Sequence, residues 1–192
     1  MSHHHPSQSG GSLSLRDSFN LMYMLASAHA TCLTPMMRHS FGVEALGWNG
    51  LGAFLVMGVA MMAAPGADMK SLFCWWLMAF MLQRLRTMKL VRNGWVAHSR
   101  YDGYPWLALQ LPLVHDERTA KTIEPFLCLL GGMLLYPISE AVGQFVLLGI
   151  GSLSIKLSIE RQTERVKLQR LRDAEIEQRS LIERYRGLSL NE

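Results

Sequence analysis

The chain has 192 residues, of which 49% are apolar and 18% charged, and its mean hydropathy is positive, which is unusual for a soluble protein. The 19 Lys and Arg against 15 Asp and Glu would suit nucleic acid or an anionic membrane surface, so the position of the charges matters more than their sum. The three cysteines are far apart and odd in number, so they indicate neither a disulfide framework nor a thiolate zinc site.

The N-terminal segment, residues 1–12, is predicted to be a disordered tail outside the fold. It holds three adjacent histidines, which bind metal only loosely without other ligands, and it lacks the apolar core of a signal peptide. Residues 13–44 are predicted to contain an amphipathic helix, over 14–34, that lies in the membrane interface or docks on the bundle. Its continuous apolar part is about 15 residues against the roughly 20 that a crossing needs. A crossing by this helix stays an alternative.

Residues 45–64 contain no ionisable side chain and form the clearest predicted membrane span. An uncharged stretch of this length should insert unaided, because each Leu-class residue favours insertion by about 0.3 to 0.6 kcal/mol. A Pro-Gly pair follows, and then a second span is predicted over 72–82. That stretch is apolar but short, so Arg84 and Arg86 are predicted to lengthen it by reaching from its end to the headgroup level.

Residues 84–123 are predicted to form a basic loop, since they contain seven Lys and Arg. Aromatic side chains at Trp95, Tyr104 and Trp106 are typical of the membrane interface. The Asp102-Gly103 pair within the same stretch predicts a turn. Glu124-Pro125 is predicted to start the next helix, because proline is well tolerated in a first turn.

Residues 126–155 are apolar apart from a break at Pro137 to Glu140, so they form either two helices in a hairpin or one kinked helix. The composition then changes to a charged tail, residues 157–192, predicted as one continuous helix. The best heptad frame of this tail is only partly apolar. Its apolar positions are the predicted partner-binding residues: Leu168, Leu171, Ile182 and Tyr185.

The distribution of Lys and Arg predicts the topology. Basic residues near span ends are retained on the cytoplasmic side, which places the loop 84–123 and the N-terminus inside. A hairpin over 126–155 returns the charged tail to the cytoplasm as well, whereas a kinked helix would leave it outside. The sequence therefore predicts an all-α membrane domain over 45–156, with four transmembrane helices and both termini cytoplasmic, in a bacterial inner membrane.

No catalytic, cofactor-binding or metal-binding residue is predicted. Motifs of metalloproteases, hydrolases and nucleotide-binding proteins are missing from the sequence, and no ionisable side chain falls at mid-depth of the four predicted spans, which disfavours ion-coupled transport. Two groups are possible catalytic sets: His98 with Tyr101 and Asp102, and His29 with Cys32. Interface-anchoring aromatics and a turn aspartate are the simpler interpretation of the first group.

These features lead to three functional hypotheses. The first is a non-catalytic membrane scaffold or assembly subunit whose charged C-terminal helix binds a cytoplasmic partner or a second copy. The second is an accessory subunit of a transport, secretion or conjugation machine, and the third, which the sequence favours least, is a membrane-embedded enzyme. Direct contact with nucleic acid is not expected, because the charges of the tail alternate in sign.

Overall fold

The computed structural model describes residues 15–42, 45, 47–95, 101–112 and 114–189. Six helices follow one another along the chain: α1 (Leu15–Met37), α2 (Trp48–Ala63), α3 (Ala67–Arg92), α4 (Trp106–Leu109), α5 (Glu117–Leu135) and α6 (Glu140–Ser189). Within these ranges no strand occurs, and the only β-type pairing is an isolated bridge between His39 and Tyr104. The predicted all-α class is therefore confirmed.

The second half of α1 lies at the centre of the bundle, where it packs against α2, α3 and α6. Every residue from Ala26 to Pro35 is buried, whereas residues 18–25 are largely exposed. The polar side chains in this buried half have local partners: Thr31 Oγ1 donates to the Ser27 carbonyl at 2.8 Å, and His29 Nδ1 lies 2.8 Å from Ser152 Oγ on α6. These contacts allow a helix that is interrupted by polar residues to occupy the core.

Pro35 lies inside α1 and would normally break it. Proline has no N–H, so the carbonyl of Thr31, four residues earlier, loses its helical hydrogen bond. The indole Nε1 of Trp76 on α3 donates to that carbonyl instead, at 3.2 Å. Trp76 is 1% exposed, so one buried side chain both fills the space between the helices and satisfies the freed carbonyl.

α2 and α3 form an antiparallel pair joined by a short turn at Pro65-Gly66, as the sequence predicts. A Cβ at Gly50 would lie 2.6 Å from the ring of Phe80, so this glycine permits the close approach. α3 has 26 residues, and it runs well beyond the apolar stretch 72–82 to include Arg84 and Arg86. It ends at Arg92, and Gly94, two residues later, adopts a φ of +80° that favours glycine.

α5 and α6 form a hairpin, which is the alternative that the loop charges favoured. The expected helix start at Glu124-Pro125 is wrong, because α5 begins two turns earlier, at Glu117. The added turns are stabilised by an i,i+4 ion pair in which Lys121 Nζ lies 2.8 Å from Glu117 Oε1. Consequently the predicted basic loop 84–123 contains the end of α3, all of α4 and the start of α5.

α6 is continuous over 50 residues, so the predicted boundary between residues 156 and 157 falls inside a helix. Among the described residues, α6 is the one helix long and apolar enough to cross a membrane, while α2 is apolar but shorter. A single helix of this kind is weak evidence for membrane association, because the core helix of a soluble protein can meet the same criterion.

Candidate functional site: an ionic network at the base of α6

A network of buried charges joins four parts of the fold. Arg38, directly after α1, binds the carboxylate of Glu124 on α5, with Nε donating to Oε1 at 2.8 Å and Nη2 donating to Oε2. The same guanidinium donates through Nη1 to the side chain and the backbone carbonyl of Asp102. On the other side of Asp102, Lys156 Nζ on α6 donates to Oδ1 at 2.6 Å. Two cations and two carboxylates are thus paired in one cluster.

The loop that carries Asp102 is held in place by its backbone. His39 and Tyr104 exchange two backbone hydrogen bonds, of 3.0 and 2.6 Å, and their rings stack with centroids 5.1 Å apart. Gly103 has a φ of +88°, and a Cβ there would lie 2.9 Å from the ring of Phe41. Residues 101–103 are an irregular segment, without the turn that the Asp102-Gly103 pair predicts, but the position of Gly103 requires glycine both for its φ and for space.

The charges of the network set the pKa of its members. Burial alone would raise the pKa of Asp102, but Lys156 and Arg38 outweigh it and hold that pKa below its ordinary value. Burial would lower the pKa of Arg38, yet Asp102 and Glu124 raise it. Arg38 and Asp102 therefore both stay ionised over the physiological pH range.

Glu160, one turn beyond Lys156 on α6, makes no ion pair within the part of the chain that the structure describes. Burial and the charge of Asp102 raise its pKa, although Lys156, Arg38 and Lys121 oppose the shift. Its carboxylate is therefore the least compensated charge beside the network.

A second set of polar contacts lies next to the network and joins Tyr101, the first turns of α5 and α6. Tyr101 Oη donates to Glu117 Oε1 at 2.9 Å, and burial together with this hydrogen bond raises the pKa of Tyr101. Lys121 Nζ lies 5.2 Å from the centre of the Tyr101 ring. Arg161, the residue after Glu160, donates to the hydroxyl of Thr122 and so links α6 to α5. The start of α5 is thus hydrogen-bonded to the middle of α6.

Beyond this point α6 leaves the bundle, and residues 162–186 are exposed almost throughout. The predicted partner-binding residues all lie on this distal part, with Leu168 64%, Leu171 68%, Ile182 50% and Tyr185 74% exposed. An i,i+4 ion pair lies on the same part of the helix, with Arg179 Nη2 2.7 Å from Glu175 Oε1.

The predicted membrane-interface residues occupy two regions. Arg84 and Arg86 lie in the last turns of α3, and Trp106 is the first residue of α4. Trp95 and Tyr104 meet across a cavity of about 350 Å³, whose other lining residues are His39, Ser40, Leu90 and Tyr101. The structure therefore brings Trp95 and Tyr104 together but keeps the two arginines on a separate element.

The two catalytic groups considered from the sequence are not assembled among the described residues. His98 lies outside them, Tyr101 donates to Glu117, and Asp102 is bound to Arg38 and Lys156. His29 contacts Ser152 and the ring of Phe145, while its Nε2 is buried without a partner.

Sequence analysis did not identify Arg38, Glu124 and Lys156 as one set, because the hydrogen-bonded pairs are separated by 54 to 86 positions. A usable signal did exist. Each of the three is a single charge at the end of an apolar run, and a set of such charges with both signs can pair where helix ends meet. No protein-family model matches the chain, and neither a curated protein nor a solved structure is similar to it.

Proposed function

We propose that the protein is a non-catalytic membrane scaffold, in which a lipid-embedded bundle holds the distal half of α6 as a binding surface for a partner or a second copy. The observation that carries this proposal is the continuity of α6. It runs from the packed bundle through the ionic network into an exposed segment without a break. Residues 157–189 extend about 50 Å past the network at about 1.5 Å per residue.

The outer surface of the bundle supports the membrane placement. Large apolar side chains are exposed on several helices, including Trp48 at 86%, Met62 at 82% and Leu134 at 73%. Soluble monomers rarely expose contiguous apolar surface of this kind. We propose four crossings, by α2, α3, α5 and the first part of α6, with the basic end of the bundle and both termini in the cytoplasm of a bacterium.

The distal part of α6 supports the binding role. Leu171 lies 18 residues after the buried Leu153, which corresponds to five helical turns, so the two point in the same direction. Ile182 and Tyr185 lie close to that direction. A partner that covers these side chains would therefore approach α6 from the side on which the bundle lies, and it could contact both.

The test uses the full-length protein in mild detergent. A seam variant carries Leu168→Asp, Leu171→Asp and Ile182→Asp. Its matched control places three aspartates on the opposite face of the same helix: Gln162→Asp, Gln169→Asp and Ser180→Asp. Carbonate extraction of membranes measures insertion, and light scattering with mass spectrometry of co-purified chains measures assembly.

We expect the wild type and the control to form the same oligomer or complex, and the seam variant to insert normally but lose it. An unchanged assembly in the seam variant would overturn the proposed role of the tail. So would a wild-type protein that is monomeric and purifies alone. A reporter fused to the C-terminus and found outside the cytoplasm would refute the four-crossing topology separately.

A further inference from the structure

A groove runs along the outer face of the α5–α6 hairpin, with a volume of about 290 Å³. Its walls are apolar over most of their length, where Phe126 and Leu129 of α5 face Ile150 and Leu157 of α6. At one end the lining becomes polar, with Thr122 and Arg161. From Ile150 to Arg161 the groove spans about 16 Å along the helix axis.

Arg161 differs from Arg118 and Lys121, the two basic residues of α5 at this end of the bundle. Its Nη2 donates to the Thr122 hydroxyl, and no carboxylate pairs with it within the described ranges. Arg118 and Lys121, by contrast, pair with Glu164 and Glu117. A guanidinium has five N–H donors, so most of its capacity to bind an anion is unused. Arg165, four residues later, adds further positive charge on the same face of α6.

We propose that this groove binds one anionic phospholipid, with its phosphate at Arg161 and Thr122 and an acyl chain along Phe126, Leu129 and Ile150. The assignment rests on the membrane placement in the proposed function. Arg161 lies just past the end of the predicted span, so it meets the headgroups of the leaflet on the basic side of the bundle. Basic pockets between membrane helices on that side are suited to anionic headgroups.

The shape and the charge of the groove both select this ligand. An apolar channel with a cation at one end matches an amphiphile whose negative group is at its end. A free phosphate would leave the apolar walls uncovered, and a phosphatidylcholine carries its own positive charge close to Arg161. The phosphate of an anionic lipid therefore gains more from Arg161 than either alternative.

The experiment measures the thermal stability of the full-length protein in detergent while lipid is added. The probes are phosphatidylglycerol, phosphatidylcholine with the same acyl chains, and inorganic phosphate. Because a ligand that binds only the folded state raises the Tm, the concentration dependence of the shift gives an apparent affinity. We expect phosphatidylglycerol to raise the Tm at lower concentration than phosphatidylcholine, and inorganic phosphate to have no effect.

Arg161→Gln should weaken the apparent affinity for phosphatidylglycerol roughly tenfold, as expected for the loss of a charged hydrogen bond. Arg179→Gln, which removes an exposed charge from the same helix, should leave it unchanged. Ser154→Phe fills the middle of the groove and should weaken binding while keeping the charge of Arg161. Native mass spectrometry of retained lipid provides a second measurement if a variant is too unstable for the thermal assay.

Equal responses to the two lipids, or an unchanged response in Arg161→Gln, would overturn the proposal. A shift with inorganic phosphate as large as that with phosphatidylglycerol would overturn it too, because it would show an anion site without a lipid. The seam variant of α6 should still bind phosphatidylglycerol. A protein that fails to assemble through its tail but binds the lipid would therefore refute only the scaffold role.

Discussion

Replacing Arg38 with methionine tests whether the ionic network stabilises the folded bundle. The Arg38 and Glu124 side chains are 4% and 1% exposed, so the variant leaves the Glu124 carboxylate buried without its cation. Asp102 keeps Lys156 as a partner. Breaking a buried pair by removing one member costs about 3–5 kcal/mol. For a chain of this length the Tm should then fall by about 6–20 °C.

A double variant separates the lost charge pairing from lost packing. Arg38→Met with Glu124→Leu removes both partners, leaves Asp102 and Lys156 paired, and should recover most of the stability that the single variant loses. Arg179→Met, in an exposed i,i+4 pair, should cost only about 0.3–0.5 kcal/mol. Thermal unfolding in detergent at constant lipid measures all three. The reasoning fails if Arg38→Met matches this control, or if the double variant is no more stable than Arg38→Met alone.

Three further variants test individual contacts. Trp76→Phe removes the N–H that satisfies the carbonyl freed by Pro35 and should destabilise by about 1–3 kcal/mol, whereas Trp75→Phe at a 61% exposed site should be nearly silent in the same thermal assay. Gly103→Ala should cost about 1–2 kcal/mol for its positive φ, and more for its clash with Phe41, again read from the Tm. Because the pKa of Glu160 is raised on folding, its carboxylate costs stability as the pH rises through that pKa. Glu160→Gln should therefore raise the Tm at about pH 8 and lose this advantage near pH 4, and Glu164→Gln, which removes an exposed carboxylate from the same helix, is the control.

The helices of the apolar segments could be predicted from the sequence, and the reasons are local. An uncharged run followed by Pro-Gly gives α2 and its turn, and the break at Pro137 together with the loop charges gives the α5–α6 hairpin. The positive φ of Gly103 fits the preference of glycine for such positions, although residues 101–103 form no turn. Helix ends were less certain: α5 starts at Glu117, where a side-chain ion pair and not the proline determines the first turns.

The central position of α1 and the ionic network could not be predicted, because both depend on contacts between distant residues. The polar groups of α1 suggest a surface helix, yet Thr31 bonds to its own backbone and His29 meets Ser152 across the core. From its neighbours in the sequence, Asp102 is predicted to be a turn residue. Only the packed fold shows that it lies between Arg38 and Lys156.

The charged side chains of the network occupy buried positions that apolar side chains could fill. Removing ions from water is costly, and a buried set can often be replaced by apolar residues of similar size without loss of stability. We therefore expect its main effect to be on geometry. Lys156 is the last buried residue of α6 before its exposed part, residues 162–186, and its partner Asp102 is bound in turn by Arg38. We therefore expect the network to fix the direction in which the exposed part of α6 projects.

A variant in which apolar residues replace all four charged residues of the network tests this expectation. The measured quantity is the distance between two spin labels, one on the bundle and one on the exposed part of α6. The four substitutions are Arg38→Met, Asp102→Leu, Glu124→Leu and Lys156→Met. Spin labels are placed at Cys74, which is exposed while the other two cysteines are buried, and at a cysteine introduced in place of Ser180. The wild-type network should give a narrow distribution of distances between the labels. The apolar variant should keep its insertion and its Tm but give a broad one. If its distribution stays narrow, helix packing alone directs α6, and the network has no part in presenting the distal surface to a partner.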